Sequence, residues 1–474
     1  MPSDDGGTKR TAHRSSGGFA RLSSVALMFL RLESDAWPCH FGGLAVVEGK
    51  TLLDDAGQLR LGEIRDQLAR RLTQVPELRR RLHFPGFFGG RPLWVDDDRF
   101  AIEHHVHEMG VASPGGDQQL LETAAQIYEG LLDRGGPLWE LWFLTGLSDD
   151  RVGVLLKLHH AVADGLAAVA IMGSLFDFEP DAPEPDLVPW TPEPMPGSWP
   201  LLVDNLSSKI HTLRGAIAAL SHPLRLLRQV RAFAVMTRRY FDKKAAPASS
   251  LNRPVRPGRL VRFLRLDVTR MKDAAHAHEG KINDVVLTLW AGGMRRLLKR
   301  RREPVTGVEL ISGMPVSLRS DVTIDNQVGT MVLALPIWLD DPSDRLRLVA
   351  SRTRTAKAEQ RPEAIMGYMA GLAATPIGKS YTTHQRASNV IVTNVMGPSV
   401  PVYVLGARIL EILPIIELVG NIGLTLCAFS YAGEMFMVVT ADATAFPDLE
   451  VLMEGMEQDW HTLSARRISA AVPG

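Results

Sequence analysis

The stretch KLHHAVADGLAAV, residues 157–169, decides how the rest of the chain is read. The run leading into it, RVGVLLKLHH (151–160), puts Val152, Val154, Leu156 and Leu158 on one face of an expected strand. Side chains alternate along a strand, so His159 and His160 point to opposite sides and do not readily share a metal ion. Asp164 stands directly before the apolar run GLAAVAIMGSLF, where an aspartate suits a helix N-cap and Gly165 permits a tight turn. A histidine aimed into a cleft can act as a general base, because an ordinary pKa of about 6.5 leaves it largely neutral at working pH. A hydrogen-bonded structural pair is the other reading of the same two residues.

The surrounding composition narrows the partners. The chain has 474 residues, 45% apolar and 22% charged, enough for two or three domains with a large core. Lys plus Arg equals Asp plus Glu at 53 each, so no global field recruits nucleic acid. Only Cys39 and Cys427 occur, which excludes a disulfide framework and suits a reducing compartment. Residues 1–20 read as a polar, disordered tail, and the apolar VALMFL that follows is shorter than a signal-peptide core. The longest apolar run, MVLALPIWL from Met331, falls far short of the roughly 18 residues of a transmembrane helix. A cytoplasmic protein that meets membrane only at its surface is expected.

Four regions follow from the patterning. Residues 21–178 mix strands (HFGGLAVVEG, RVGVLLKLHH) with a helical pattern in LGEIRDQLARRLTQVPELRRRL (61–82), an α/β arrangement. Residues 179–258 begin in the proline-rich FEPDAPEPDLVPWTPEPMPGSWP (178–200), a linker or wrapping loop because each proline removes a donor and fixes φ. That region continues into a basic amphipathic segment, 201–244, with nine Lys or Arg against Asp204 and Asp242. Such a segment either lies on a membrane surface or packs on the catalytic domains with its charges in water. Residues 259–474 form a second α/β region with a helix over INDVVLTLWAGGMRRLLKR (282–300) and strands SNVIVTNV and EMFMVVTAD.

HHAVADG matches the HHxxxDG signature of the CoA-dependent acyltransferase superfamily, which includes chloramphenicol acetyltransferase-like enzymes and peptide-synthetase condensation domains. From Leu22 onward the chain resembles, more specifically, the bacterial wax ester synthase/diacylglycerol acyltransferase family. The resemblance is carried by LSSVALMFLRLES, HFGGLAVVEG, GGDQQLLETAAQIYEGLLDRGGPLWELWFLTGL, NDVVLTLWAGGMRRLL, MPVSLRS, NQVGTM and SNVIVTNVMGPSVPVYVLGARI, in order. It implies two chloramphenicol-acetyltransferase-like α/β domains with an active-site tunnel between them. It also implies transfer of a fatty acyl group from acyl-CoA to diacylglycerol, giving triacylglycerol, or to a long-chain alcohol, giving a wax ester. No cofactor beyond the acyl-CoA co-substrate is implied, and a membrane surface or lipid droplet is the expected place of work.

Carried onto this chain, His160 is the general base, His159 supports the loop, and Asp164 and Gly165 are structural. Asn283 and Asp284 match an Asn-Asp pair that shapes the site from the second half, and Pro137, Leu138 and Trp139 match a Pro-Leu-Trp element. Arg319 is a candidate partner for Asp164. The chain departs from the family pattern at Gly136, Met396 and Asp325, none of which touches the base. Two other functions stand beside this one: a non-catalytic lipid-binding or droplet-associated relative, and a condensation-type enzyme fed by a carrier protein.

The remaining motifs have plainer readings. No G-x-S-x-G elbow occurs, in keeping with direct transfer. PIGKSYTT (376–383) lacks the glycine spacing of a phosphate loop. His105 and His107 share a face of a possible strand at a spacing that can hold zinc, but no third ligand is evident and no metal is expected. RRLLKRRR (295–302) closes a helix, where positive charge suits the dipole.

Overall fold

The computed structural model describes residues 19–86, 88–162, 171, 173, 175–186, 188–220, 231, 246–317, 328–359, 380 and 382–470. Asp164, Gly165, Arg319, Asp325, most of PIGKSYTT and most of 221–244 lie outside the described residues. The first half runs α1 (Ser24–Leu32), β1 (His40–Glu48), α2 (Leu61–Arg71), β2 (Arg80–His83), β3 (Leu93–Asp96), β4 (Val106–Gly110), α3 (Asp117–Glu129), β5 (Trp139–Thr145), β6 (Arg151–His159) and α4 (Ser198–Leu220). The second half runs β7 (Arg259–Asp267), α5 (Val268–His276), α6 (Ile282–Arg300), β8 (Leu310–Ser317), β9 (Val328–Leu335), α7 (Pro342–Glu359), β10 (Val390–Met396), β11 (Tyr403–Val404), β12 (Ala407–Ile415), β13 (Leu424–Tyr431), β14 (Glu434–Asp442) and α8 (Leu449–Ala470).

Two six-stranded sheets carry the architecture, in the orders β11-β12-β1-β6-β5-β4 and β7-β14-β13-β10-β8-β9. The chain is thus α/β with two sheet-centred halves. β11 and β12 belong to the second half of the sequence yet complete the first sheet. β12 pairs antiparallel with β1, Gly42 opposite Ile415, and β6 pairs antiparallel with the other side of β1, Gly42 opposite Lys157. β6 and β12 therefore run in the same direction, and both end at the start of β1. β6 is buried along nearly its whole length because both faces of the sheet are covered, so its polar-looking Lys157 is inside too. Lys157 donates to the Ile127 carbonyl at 3.2 Å and pairs with Glu140 at 3.3 Å, and burial pushes its pKa down.

The halves share a core. Val261, Phe436 and Val438 of the second half pack in the same cluster as Leu44, Tyr128 and Leu156 of the first. Arg259 ties them together, with its Nη2 donating to the Ala36 carbonyl at 2.7 Å and its backbone N–H donating to Glu129. A second core surrounds α6, whose Trp290 is fully buried. The helical pattern of 282–300 ends where expected, and its Arg295–Arg302 cluster makes local ion pairs, Arg295 with Asp340 at 2.8 Å and Arg301 with Asp448.

Two expectations need correction. The helical pattern of 61–82 stops at Arg71 and continues as 3-10 turns and then β2. Pro76 has no N–H to donate and holds Val75 out of the α region, at φ −130° and ψ 71°. His105 is not on a strand with His107, since β4 begins at Val106. Its ring stacks between Phe100 and Trp139, and its Nδ1 bonds the Trp139 carbonyl at 2.9 Å, so it is a packed core histidine. Among the described residues no group of three His, Cys, Asp or Glu side chains is placed to hold a metal, and no helix is long and apolar enough to cross a membrane.

Gly42 lies between β12 and β6, and a Cβ there would sit 2.1 Å from the Leu156 carbonyl oxygen, so the strands must part to admit it. Gly42→Val is expected to lose about 2–3 kcal/mol, as for overpacked cores. Urea titration of the variant beside Gly43→Ala, where the added Cβ meets open space, checks this. Equal stabilities would show that the strand spacing is not the constraint described.

Candidate active site

The common end of β6 and β12 collects the chemistry. His40, the first residue of β1, is in register with His159. Continuing the β12 register by two residues brings the chain to Glu417, on the other side of His40. α1 closes the region from outside. Ser23 caps its N-terminus by accepting from Ala26 N–H at 3.0 Å, and Glu33 ends it, its N–H donating to the Phe29 carbonyl at 3.0 Å.

His159 is fully buried. Its Nδ1 accepts from Ala161 N–H at 2.8 Å, so the ring proton sits on Nε2, which lies 3.2 Å from Glu33 Oε1. The other oxygen of Glu33 takes Arg134 in a fork, at 2.7 Å from Nη2 and 3.1 Å from Nε. Burial pushes the Glu33 carboxyl up, but His159 and Arg134 outweigh it and hold its pKa down at about 2. His40 also faces this carboxylate, at 3.9 Å, and burial with the nearby Lys157 charge pushes its pKa down to about 3. His159 is thus a bolt: its ring holds the turn through Ala161 and anchors that turn to Glu33.

His160 faces different neighbours. Its backbone N–H donates to the Cys39 carbonyl at 3.0 Å. Its ring stacks on Phe29, centroids 4.6 Å apart, and meets Phe41 at 4.7 Å. Its Nε2 lies 3.5 Å from Glu417 Oε1, and 27% of the side-chain surface remains accessible. Burial, with His159 adding to it, pushes the His160 pKa down to about 3. Burial thus favours the neutral ring, with a lone pair available to a hydroxyl that reaches the open side.

The other expected site residues fall in two places. Pro137, Leu138 and Trp139 open β5 beside the end of β6. Leu138 accepts from His159 N–H at 3.1 Å, and Trp139 is locked by its Nε1 donating to the Leu78 carbonyl at 2.7 Å. This element braces the histidine turn from behind. Asn283 and Asp284 sit at the start of α6. Asp284 Oδ2 accepts from Lys281 N–H at 2.8 Å and its Oδ1 from Thr353 at 2.7 Å, fixing α6 to α7. Asn283 accepts from Asn394 of β10 at 3.0 Å. Among the described residues no hydrogen bond or ion pair joins either to the histidines.

Sequence reasoning did not single out Glu33, Phe29 and Glu417. Glu33 lay inside the quoted LSSVALMFLRLES, where an acidic residue closing an amphipathic helix was a usable signal. Glu417, in PIIELVG, offered none: only the crossing of β12 brings it to the site.

Solved structures share this arrangement. The wax ester synthase/diacylglycerol acyltransferase from Marinobacter aquaeolei VT8 aligns over 94% of this chain and 99% of its own, with a TM-score of 0.66 at 22% identity. The first condensation domain of the calcium-dependent antibiotic synthetase aligns over 94% and 96%, with a TM-score of 0.58 at 15% identity. These likenesses define the fold as that of the chloramphenicol-acetyltransferase-like class. Within it, the wax ester synthase/diacylglycerol acyltransferase catalytic domain matches residues 22–286 and the WS/DGAT C-terminal domain matches 324–464, so the chain belongs to the wax ester synthase/diacylglycerol acyltransferase family. Among relatives, a Mycobacterium tuberculosis protein named "Probable diacyglycerol O-acyltransferase tgs1" is 30% identical over 88% of this chain and 89% of its own length. A second protein of that organism, also bearing the name of a diacylglycerol O-acyltransferase, is 29% identical over 92% and 89%.

The lowered Glu33 pKa has a signed consequence. The stability it lends is fully present above the unfolded value of about 4.5 and is lost as pH falls through about 2. Glu33→Gln should remove roughly 3 kcal/mol above that window and flatten the stability curve within it, as read by urea titrations at stepped pH. A curve parallel to the parent's would mean that the carboxylate contributes nothing.

Proposed function

We propose that the protein is an O-acyltransferase that moves a long-chain fatty acyl group from acyl-CoA to diacylglycerol, making triacylglycerol, and to long-chain alcohols, making wax esters, with His160 as general base. Family membership sets the reaction class, and the His160 ring carries the mechanism. A neutral imidazole held between Phe29 and Phe41 and open on one side suits the removal of a proton from an acceptor hydroxyl. As the O–H bond breaks toward Nε2, the oxygen attacks the thioester carbonyl and a tetrahedral oxyanion forms. Its collapse breaks the C–S bond, and the proton leaves with CoA as the thiol. In this reading His159, Asp164 and Gly165 hold the turn, residues 137–139 brace it, and Asn283 and Asp284 order the wall contributed by the second half.

CoA release from palmitoyl-CoA with dioleoylglycerol or hexadecanol, read with a thiol reagent, tests this. His160→Ala should lose about 10²–10⁴-fold while remaining folded. An unchanged rate would remove His160 from the chemistry, and no ester from either acceptor would favour a lipid-binding role.

α4 supports a place of work at a lipid surface. Its inner side is fixed by buried Leu201 and by Asp204, which accepts from Arg21 Nε at 3.0 Å. Its outer side exposes Trp199, Val203, Leu206, Ile210 and Leu213, spaced four and three residues apart in alternation, which is one continuous helical stripe. Asn205 donates to the Phe88 carbonyl at 2.9 Å, setting the exposed Phe88 beside the stripe. Exposed Lys209 and Arg214 add positive charge. An apolar stripe with basic neighbours suits the cytoplasmic face of a membrane or a lipid droplet, where diacylglycerol resides. Leu206→Asp with Leu213→Asp should reduce co-sedimentation with anionic liposomes at least several-fold, leaving CoA release with detergent-dispersed acceptor intact. Unchanged sedimentation would sink the membrane assignment.

A further inference from the structure

We propose that Glu417 is a positioning residue for His160, supplying the countercharge for the imidazolium that forms when the acceptor hydroxyl is deprotonated. The inference rests on the acyltransferase reading and on His160 as its base. Glu417 Oε1 lies 3.5 Å from His160 Nε2, too long for a strong hydrogen bond and close enough for a charge interaction. Its side chain is mostly buried, and among the described residues its Oε2 is enclosed without a hydrogen-bond partner. An acidic group buried this way is held in its neutral form until a charge arrives to meet it. Proton transfer to His160 delivers that charge.

The groups facing Glu417 are few. Burial, and then the Glu33 charge across the site, push its pKa well above the usual carboxylate range. Its own charge in turn acts on the Cys39 thiol and the Tyr128 hydroxyl, both of which burial already holds protonated. His159 is engaged by Glu33 and Ala161. Among the described residues, His160 is therefore the partner whose charge changes during the reaction. With Glu417 protonated, an imidazolium next to it is unsupported in an apolar pocket. With Glu417 ionised, the same imidazolium is one half of a close pair. Catalysis thus requires the carboxylate form, and the two groups titrate as a unit.

The sign of the pH dependence follows. A raised carboxyl pKa means the carboxylate appears only as pH rises through that value, so kcat should climb with pH on a limb above the ordinary carboxylate range. Glu417→Gln keeps size and polarity without the charge. It should lower the plateau kcat on the order of tenfold, leave KM for palmitoyl-CoA unchanged, and erase the limb, because the remaining base, His160, is already neutral. Glu417→Asp should restore part of both rate and limb. A Glu417→Gln enzyme with the parent kcat and pH profile overturns the inference, as does a lowered kcat with the limb in place, which would leave Glu417 a packing role. His160→Ala separates the two readings: if it too keeps its rate, the general-base assignment has failed, whereas a dead His160→Ala beside an unaffected Glu417→Gln removes only the role of Glu417.

Discussion

The antiparallel pairing of β12 with β1 is the constraint on which the rest of the structure depends. Without it the first sheet ends at β1, an edge with unpaired N–H and C=O groups along a strand that is otherwise apolar. With it, β1 becomes an interior strand, and the two halves of the chain cannot separate without breaking the β1–β12 ladder. The pairing also decides the site. Because β6 and β12 are both antiparallel to β1, they run in parallel and end together, so the residues that follow each of them meet. One strand brings the histidine and the other the carboxylate. Gly42 sits within this three-strand arrangement, where a neighbouring carbonyl leaves no room for a side chain.

Around that meeting point two buried polar systems are kept apart by what each is bonded to. Glu33, His159, Arg134 and Ala161 form a closed set in which charge is met by charge and the ring tautomer is dictated by a backbone N–H. It is rigid by construction. His160 and Glu417 form an open set, with an accessible ring, a long separation and an oxygen without a donor. The last residue of β6 and the first residue beyond it thus serve opposite ends. His159 spends its hydrogen bonds on holding the turn, while His160 keeps a lone pair for a ligand.

The sequence made much of this legible for a physical reason. Strand and helix periodicities are local, so β1, β6, β10, β14 and α6 could be read from runs of ten to twenty residues. The alternation that sends His159 and His160 to different surroundings is likewise local. What could not be read is whatever depends on distant pairing. Glu33 comes to His159 from 126 residues away and Glu417 to His160 from 257, Glu33 at the end of one helix and Glu417 beyond a strand that changes sheets. Pro76 shows the other limit: apolar spacing across 61–82 was helical, but one missing N–H redirected the chain into β2. The Asn283 and Asp284 pair was visible as a motif, while its bonds to Asn394, Lys281 and Thr353 were not.

In the proposed mechanism, the low basicity of His160 links the fold to the reaction. A base that is neutral because it is dry is always available, yet it is weak, since the same burial that strips its proton penalises the charged form it must become. In water that penalty is relieved by solvent, but a thioester site that admits water also admits hydrolysis. The Phe29 and Phe41 rings close two sides of the imidazole. Relief therefore has to come from a fixed charge that enters with the fold, and the carboxyl at the end of β12 is placed to give it. A countercharge built into a strand crossover, and not into the histidine's own loop, ties proton acceptance to the correct joining of the two halves. A molecule in which β12 has not paired with β1 would keep its histidines and lose the group that lets one of them hold a proton.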